Sequence, residues 1–132
     1  MKPAPRVNHI GIVVADMDSA VAFFENVLGI EVPQVIDLGP AVGRVAMAPC
    51  GPVEIELIDY ADPARRAKHL GNEQARIEHV AFDVEDAESS YEQLESAGVG
   101  FAGPLKTRPD CTTFFTDPAT SHGLMFQFRE PH

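Results

Sequence analysis

The stretch that decides the fold is VNHIGIVVADMDSAVAFFENVLGIEV, which occupies residues 7–32. The same pattern returns as IEHVAFDVEDAESSYEQLESAGVGFA at residues 77–102. His9 aligns with His79 at an offset of 70 residues, and the apolar positions around the two histidines align as well. Self-similarity at a fixed offset is the signature of a fold built from repeated units. The chain therefore contains a duplicated unit.

A second pair of segments extends the duplication toward the end of each unit. VEIELID at residues 53–59 matches LMFQFRE at residues 124–130, and Glu56 aligns with Gln127. With 132 residues the chain has the length of one ordinary domain. We therefore expect a single domain over residues 1–132, made of module one at residues 7–60, a connector at residues 61–76 and module two at residues 77–130.

Each module shows the same order of elements. Residues 7–14 form an apolar run rich in β-branched residues, and Asp16 then begins a helical pattern that Gly29 ends. The order β-α-β-β-β, found twice, predicts an α+β fold: two pseudo-symmetric βαβββ modules that form a cup-shaped mixed sheet with the helices outside. The other predicted segments are strands at residues 44–48, 53–59, 112–116 and 124–129, a helix at residues 85–97 and an extended piece at residues 99–102.

Composition excludes several classes of protein. Ten lysines and arginines against twenty acidic residues give a formal net charge of −10, which opposes binding to nucleic acid or to an anionic membrane. No segment approaches the roughly 20 apolar residues that a membrane span needs. The two cysteines, Cys50 and Cys111, form no CxxC pair. A reduced, cytoplasmic compartment is therefore expected.

Strand alternation places four polar side chains on one face of the predicted sheet. Successive side chains of a strand point to opposite faces, so His9, Glu56, His79 and Gln127 all project away from the helices. A single histidine at a strand end is more often a hydrogen-bonded surface residue than a ligand. The recurrence at equivalent places in two modules favours a shared site. Two imidazoles, a carboxylate and an amide oxygen suit one divalent ion such as Zn, Fe, Co, Ni or Mn.

The chain resembles the vicinal-oxygen-chelate superfamily, which includes glyoxalase I, methylmalonyl-CoA epimerase, extradiol dioxygenases and bleomycin-resistance proteins. The resemblance covers nearly the whole chain and is nearest to methylmalonyl-CoA epimerase-like members. The metal positions of the family match His9, Glu56, His79 and Gln127. The strings that carry the likeness are NHIGIVVADMDSAVAFFENVLGIEV, RVAMAPCGPVEIELID, IEHVAFDVEDAESSYEQLESAGV and FFTDPATSHGLMFQF.

The resemblance implies a metal-dependent enzyme, an isomerase or lyase of the methylmalonyl-CoA epimerase or glyoxalase type. Such an enzyme stabilises an enediolate of an acid or thioester that chelates the metal through two oxygens. The implied partners are a small-molecule substrate and a second copy of the chain in a homodimer. The family likeness leaves open which of Co, Ni, Mn, Zn or Fe is bound.

Two departures from the family pattern bear on the proton-transfer step. The last metal position of the family usually holds a Glu that also moves a proton, and this chain has Gln127, whose amide cannot accept a proton near neutral pH. The epimerases also carry a second catalytic Glu at a place that falls near Pro40 here, with only Asp37 close by. Glu56 is therefore the expected catalytic base.

Two other functions stay open. The first is an Fe(II) dioxygenase-like enzyme, although that branch places its Glu where Gln127 stands. The second is a metal-free protein that binds a small molecule or confers resistance. The connector also concentrates four basic residues that could grip a CoA phosphate, although a solvated helix that offsets the acidic modules is the favoured interpretation. They are Arg65, Arg66, Lys68 and Arg76.

Overall fold

The computed structural model describes residues 4–132 of the chain. These residues form a mixed eight-stranded sheet with three α-helices and one π-helical turn, which confirms the predicted α+β class. The elements in chain order are β1 (Arg6–Val14), α1 (Met17–Phe23), the π-helical turn (Phe24–Leu28), β2 (Val35–Asp37), β3 (Gly43–Cys50), β4 (Val53–Tyr60), α2 (Pro63–His69), β5 (Ala75–Asp83), α3 (Ala87–Ser96), β6 (Lys106–Thr107), β7 (Cys111–Phe115) and β8 (Met125–Pro131).

The chain divides into two compact units, of which the first is His9–Glu78. Its strand order is β2-β3-β4-β1. β1 and β4 run parallel, with Gly11 opposite Glu56, and β3 runs antiparallel to β2 and β4. Because β1 and β4 are parallel neighbours, the chain returns from the end of β1 to the start of β4 through α1 and the β2–β3 hairpin.

The second unit comprises the described residues up to Asn8 together with His79–His132. Its strand order is β5-β8-β7-β6. β5 and β8 run parallel, with Ala81 opposite Gln127, and β7 runs antiparallel to β8 and β6. The strand pairing is therefore the same in the two units, in agreement with the predicted duplication, whereas the module boundaries at residues 7–60, 61–76 and 77–130 stay a prediction.

Matching caps begin the helices of both units. The Asp16 carboxylate accepts a hydrogen bond from the Ser19 backbone N–H at 3.2 Å, and the Asp86 carboxylate accepts one from the Ser89 N–H at 3.0 Å. An aspartate in this position satisfies a backbone donor that the helix itself leaves unpaired. Gly29 ends the first helical stretch in the left-handed conformation, with φ of 71°, as the sequence predicts.

The helix side of each unit holds its apolar core. In the first unit Val14 and Leu57 are buried together with Met17 of α1, which confirms the faces that strand alternation predicts for β1 and β4. In the second unit an aromatic cluster takes this role, and the ring centroids of neighbouring members lie 3.9–5.9 Å apart. That cluster is Phe82, Tyr91, Phe101, Phe114, Phe126 and Phe128.

The edge of the second unit differs from the prediction. In the piece predicted to be extended, residues 99–102, Phe101 makes an isolated bridge to Thr116, and the edge strand is β6 instead. β6 pairs with β7 just across a short turn, as β2 pairs with β3 in the first unit. Among the described residues, no helix is long and apolar enough to cross a membrane.

Candidate metal centre

His9 and Glu56 meet on the face of the first unit that lies opposite α1. They come from the parallel strands β1 and β4, and Gly11 is the residue of β1 that stands opposite Glu56. Since Gly11 has no side chain, nothing on β1 stands between the imidazole and the carboxylate. His9 Nε2 lies 3.5 Å from Glu56 Oε1. The predicted proximity of these two residues is therefore present in the structure.

The distance and burial of this pair suit two donors to one ion. Two ligand atoms, each about 2.1 Å from a tetrahedral zinc ion, lie about 3.4 Å apart, close to the 3.5 Å observed between Nε2 and Oε1. The His9 side chain is 8% exposed and that of Glu56 is 22% exposed. The imidazole is thus shielded from bulk water, while the carboxylate still has an open side that a small molecule can reach.

His79 and Gln127 occupy the corresponding places in the second unit. They come from the parallel strands β5 and β8, and Ala81, with only a methyl side chain, stands opposite Gln127. His79 is 4% exposed and Gln127 is 5% exposed. The His79 ring meets the Phe115 ring edge-on, with 5.6 Å between centroids. Burial of a polar side chain costs free energy unless it has partners, so the contacts of these two residues matter for the site.

Thr113 is a buried neighbour of Gln127 that the sequence pattern does not reveal as part of the site. The Gln127 amide nitrogen donates a hydrogen bond to Thr113 Oγ1 at 3.0 Å, and Thr113 Oγ1 donates to the Phe128 carbonyl oxygen at 2.8 Å. Strand alternation could have placed Thr113 on the same face as Phe115, but it carries no information on hydrogen bonding. The Gln127 side chain is therefore fixed through its nitrogen, which leaves the amide oxygen for another partner.

The two faces carry different contacts beyond the paired residues. In the first unit Val13 and Ile58 pack against Leu70, which is 2% exposed and directly follows α2. In the second unit Arg129 Nη1 lies 2.7 Å from Asp83 Oδ1. An apolar contact therefore lies beyond the His9–Glu56 pair in the first unit, and an ion pair lies beyond His79 and Gln127 in the second. The sequence does not predict this contact of Leu70, because the charge pattern of the connector indicates only a surface helix.

The connector is anchored by its central arginine. Arg66 Nη1 donates to Asp59 Oδ1 at 3.0 Å and to the Tyr60 carbonyl oxygen at 3.3 Å, and Nη2 donates to the Ala15 carbonyl oxygen. These bonds tie α2 to β4 and to the end of β1. Arg66 is thus committed to the fold, whereas Arg65, Lys68 and Arg76 are exposed.

A buried carboxylate joins the connector to the sheet of the same unit. Glu78 accepts a hydrogen bond from the Tyr60 hydroxyl at 2.7 Å and lies 3.0 Å from His69 Nδ1. Burial and, next, the Glu78 carboxylate raise the pKa of Tyr60 well above its usual range. Tyr60 therefore stays protonated and serves as a hydrogen-bond donor at all physiological pH values.

Asp37, the acid nearest the expected second base, lies on the other side of the sheet. It stands opposite Arg44 in the β2–β3 pair, and Arg44 reaches Asp18 of α1 at 3.2 Å. Cross-strand partners share a face, so Asp37 faces the helix side. Asp37 therefore faces away from Glu56. Glu56 is the one carboxylate among the four predicted ligands.

A family model described as Glyoxalase/Bleomycin resistance protein/Dioxygenase superfamily matches residues 6–128 of the chain. The 2-epi-5-epi-valiolone epimerase of Actinomyces sp. is 32% identical over 123 residues, with 81% of this chain and 67% of that protein covered. The mitochondrial methylmalonyl-CoA epimerase of Homo sapiens is 25% identical over 95 residues, with 68% of this chain and 52% of the human protein covered. The chain thus spans about half the length of the human relative.

Solved structures share the fold over nearly the full chain. A hypothetical protein from Bacillus halodurans C-125 superposes with a TM-score of 0.81 at 23% identity, over 98% of this chain and 96% of that one. Methylmalonyl-CoA epimerase from Mycobacterium tuberculosis superposes with a TM-score of 0.79 at 25% identity, over 96% and 87% of the two chains. These two proteins therefore share the fold of this chain over most of their own length.

Proposed function

The chain belongs to the glyoxalase/bleomycin resistance protein/dioxygenase superfamily, and we propose that it is an isomerase or lyase that holds one divalent metal ion. The proposed ligands are His9, Glu56, His79 and Gln127. The proposed reaction acts on an acid or thioester with two neighbouring oxygens: it removes a proton from the carbon next to a carbonyl and adds a proton either to the opposite face of that carbon or to the neighbouring carbon. Two relatives that carry functional names are epimerases, which supports an isomerase-type reaction.

The observation that carries this proposal is the pairing of ligand types in both units. The first unit brings a histidine and a carboxylate to 3.5 Å, and the second buries a histidine and an amide on the corresponding strands. We propose that His9, Glu56 and His79, all of residue types that bind metal ions, serve one ion together. Nitrogen and oxygen donors of these kinds suit Zn, Co, Ni, Mn and Fe alike.

The chemistry divides between the ion and the protein. A divalent ion bound by these residues would polarise substrate oxygens and so acidify the adjacent C–H bond. Glu56 then supplies the base, because a carboxylate has two oxygens and can ligate through one while it accepts a proton with the other. Its partly exposed side chain gives a substrate access, whereas buried His9 and His79 serve only to bind.

A single carboxylate base also predicts the assay to use. A single base can return the proton to the neighbouring carbon, but inversion at one carbon requires a second proton donor on the opposite face. Deuterium exchange with solvent reports the removal of the proton in either reaction. We therefore propose a screen for deuterium incorporation from D₂O into methylmalonyl-CoA, 2-epi-5-epi-valiolone and a panel of 2-oxo acids. Mass spectrometry of the recovered substrate measures the exchange.

Elemental analysis of the purified protein tests the metal site itself. We expect about one equivalent of Co, Ni, Mn or Zn in the wild type and loss of that metal in the His9→Ala/His79→Ala variant. His132→Ala removes an exposed histidine that is not a proposed ligand. It is the matched control and should keep the metal.

Three outcomes of the metal measurement would redirect the proposal. Iron as the retained metal would favour the dioxygenase-like alternative. Full metal content in the double variant would refute the ligand assignment. If the wild type holds no metal and takes up none on titration, the chain is a metal-free binding protein and the four polar residues have another role.

The proposal extends to the surroundings of the protein. A small-molecule substrate and a homodimer follow from the family likeness, and a cytoplasmic location follows from the two free cysteines, Cys50 and Cys111. Because Arg66 is hydrogen-bonded to Asp59 and to two backbone carbonyl oxygens, the connector cations available to a phosphate are Arg65, Lys68 and Arg76. Sedimentation velocity of the wild type measures the assembly state directly.

A further inference from the structure

We propose that Thr113 is a positioning residue that makes Gln127 present its amide oxygen, and not its nitrogen, to the metal ion. This inference rests on the proposed function, since it concerns one ligand of the proposed ion. An amide side chain has a ligating end and a non-ligating end, because only the oxygen offers a lone pair to a cation. The orientation of the Gln127 amide therefore decides whether this residue can bind metal.

The hydrogen-bond inventory of Thr113 fixes that orientation. A hydroxyl has one proton, and the Thr113 hydroxyl donates it to the Phe128 carbonyl oxygen at 2.8 Å. Toward Gln127 the hydroxyl can then only accept, so the group that faces it at 3.0 Å must be the amide NH₂. A reversed amide would place two oxygen acceptors face to face without a proton between them. The Phe128 carbonyl thus orients the Thr113 hydroxyl, and that hydroxyl orients the Gln127 amide.

Burial makes this orientation persistent. Thr113 is 1% exposed and Gln127 is 5% exposed, so water cannot readily replace a lost partner. The hydroxyl is also attached to a central position of β7, whose neighbours β6 and β8 restrict its movement. The rotation that would turn the amide nitrogen toward the ion therefore costs a buried hydrogen bond.

The first unit provides an internal comparison. Thr113 stands opposite Arg129 in the β7–β8 pair, and the residue in the corresponding place of the β3–β4 pair is Val45, opposite Ile58. The Val45 side chain cannot form a hydrogen bond, and its neighbouring ligand is Glu56. A carboxylate presents an oxygen in either orientation, so it needs no such partner. The orienting hydroxyl thus occurs in the unit whose ligand is an amide.

Titration with Co²⁺ of the metal-stripped protein tests the inference. We expect Thr113→Val, which keeps the side-chain shape, to raise the Co²⁺ dissociation constant by about 10- to 100-fold, as loss of a partner to a metal ligand generally does. Thr113→Ser keeps the hydroxyl and should bind as the wild type does. Visible absorption of bound Co²⁺ reports the ligand set, and thermal unfolding without metal shows whether each variant is folded.

A second background separates orientation from packing. In Gln127→Glu an oxygen faces the ion whichever way the group is turned, so adding Thr113→Val should change the dissociation constant by less than about threefold. An equal loss in both backgrounds would mean that Thr113 acts through packing, and the inference would be wrong.

The remaining outcomes distinguish this inference from the proposed function. If Gln127→Ala weakens Co²⁺ binding and Thr113→Val does not, Thr113 has no positioning role and the metal site stands. If His79→Ala abolishes binding and Gln127→Ala has no effect, Gln127 is not a ligand, and the inference fails while a three-residue site remains. If the wild type binds no Co²⁺, the proposed function and the inference fail together.

Discussion

Glu56→Gln is the substitution that separates metal binding from proton transfer. Glutamine has nearly the same size and keeps an oxygen donor, but it has no carboxylate to accept a proton. Removal of a general base slows proton transfer by about 10²- to 10⁴-fold. That factor corresponds to about 3–5 kcal/mol in the activation barrier. We therefore expect the variant to retain metal and to lose most of its deuterium exchange.

The structure also limits what this substitution does to stability. Glu56 lies 3.5 Å from His9 Nε2, and its side chain is 22% exposed. A partly exposed pair of this kind contributes about 0–1 kcal/mol, which shifts the unfolding temperature by less than about 5 °C in a domain of this size. A larger loss of stability would mean that the carboxylate has a structural role.

Glu54→Gln is the matched control for the loss of charge. Glu54 lies two residues earlier on β4, faces the same side and stands opposite His9 in the β1–β4 register. The assay compares the rate of deuterium incorporation per bound metal in both variants and in the wild type. Exchange by Glu56→Gln at the rate of Glu54→Gln would refute the assignment of Glu56 as the base. Equal, large losses in both would attribute the effect to the field of the carboxylates and not to proton transfer.

Two further predictions concern the supports of the first unit. Leu70→Ala should lower the free energy of unfolding by about 2–4 kcal/mol in urea titration, because Leu70 is 2% exposed and packs against Val13 and Ile58. Leu124→Ala, at an exposed leucine, is the control and should change the free energy of unfolding little. Equal effects of the two substitutions would contradict the packing role of Leu70. Tyr60→Phe should be less stable than the wild type at neutral pH, because Glu78 loses a donor. The raised pKa of Tyr60 means that its protonated form stabilises the fold fully below the unfolded-state value of about 10, and that this contribution falls as pH rises further. The stability difference between wild type and Tyr60→Phe should therefore narrow above pH 10 in denaturant titrations, and a constant difference would refute the coupling.

Much of the fold followed from local pattern. The duplication predicted two series of elements, and the structure confirms their α+β class and shows the same strand pairing in both units. Asp16 was predictable as a helix cap because a cap depends on backbone groups only three residues away, whereas the second helix begins after Asp86 and not at residue 85. The extended piece predicted at residues 99–102 makes only the bridge between Phe101 and Thr116. An extended stretch becomes a strand only where a neighbouring strand offers free backbone partners, and the local sequence does not show whether it does.

The sequence predicted the residue types of the candidate site, but it did not predict the contacts that hold those residues in place. Strand alternation assigned His9 and Glu56 to one face, and their 3.5 Å separation agrees with that assignment. The position of Asp37 was not predictable from its distance along the chain, since its face depends on the pairing of β2 with β3. The metal site as a whole stays a prediction that the experiments above test.

By itself, the sequence determined the duplicated α+β fold, the side of the sheet on which the predicted ligands lie, and the alignment of Gln127 with Glu56. These properties follow from periodicity and alignment, which depend only on spacing along the chain. Only the tertiary structure decided that Arg66 ties the connector to Ala15, that Leu70 packs on the face of the first unit, and that Thr113 fixes the Gln127 amide. Each of these contacts joins residues far apart in sequence, and the hydrogen-bond partner of a buried polar atom is set by the path of the whole chain.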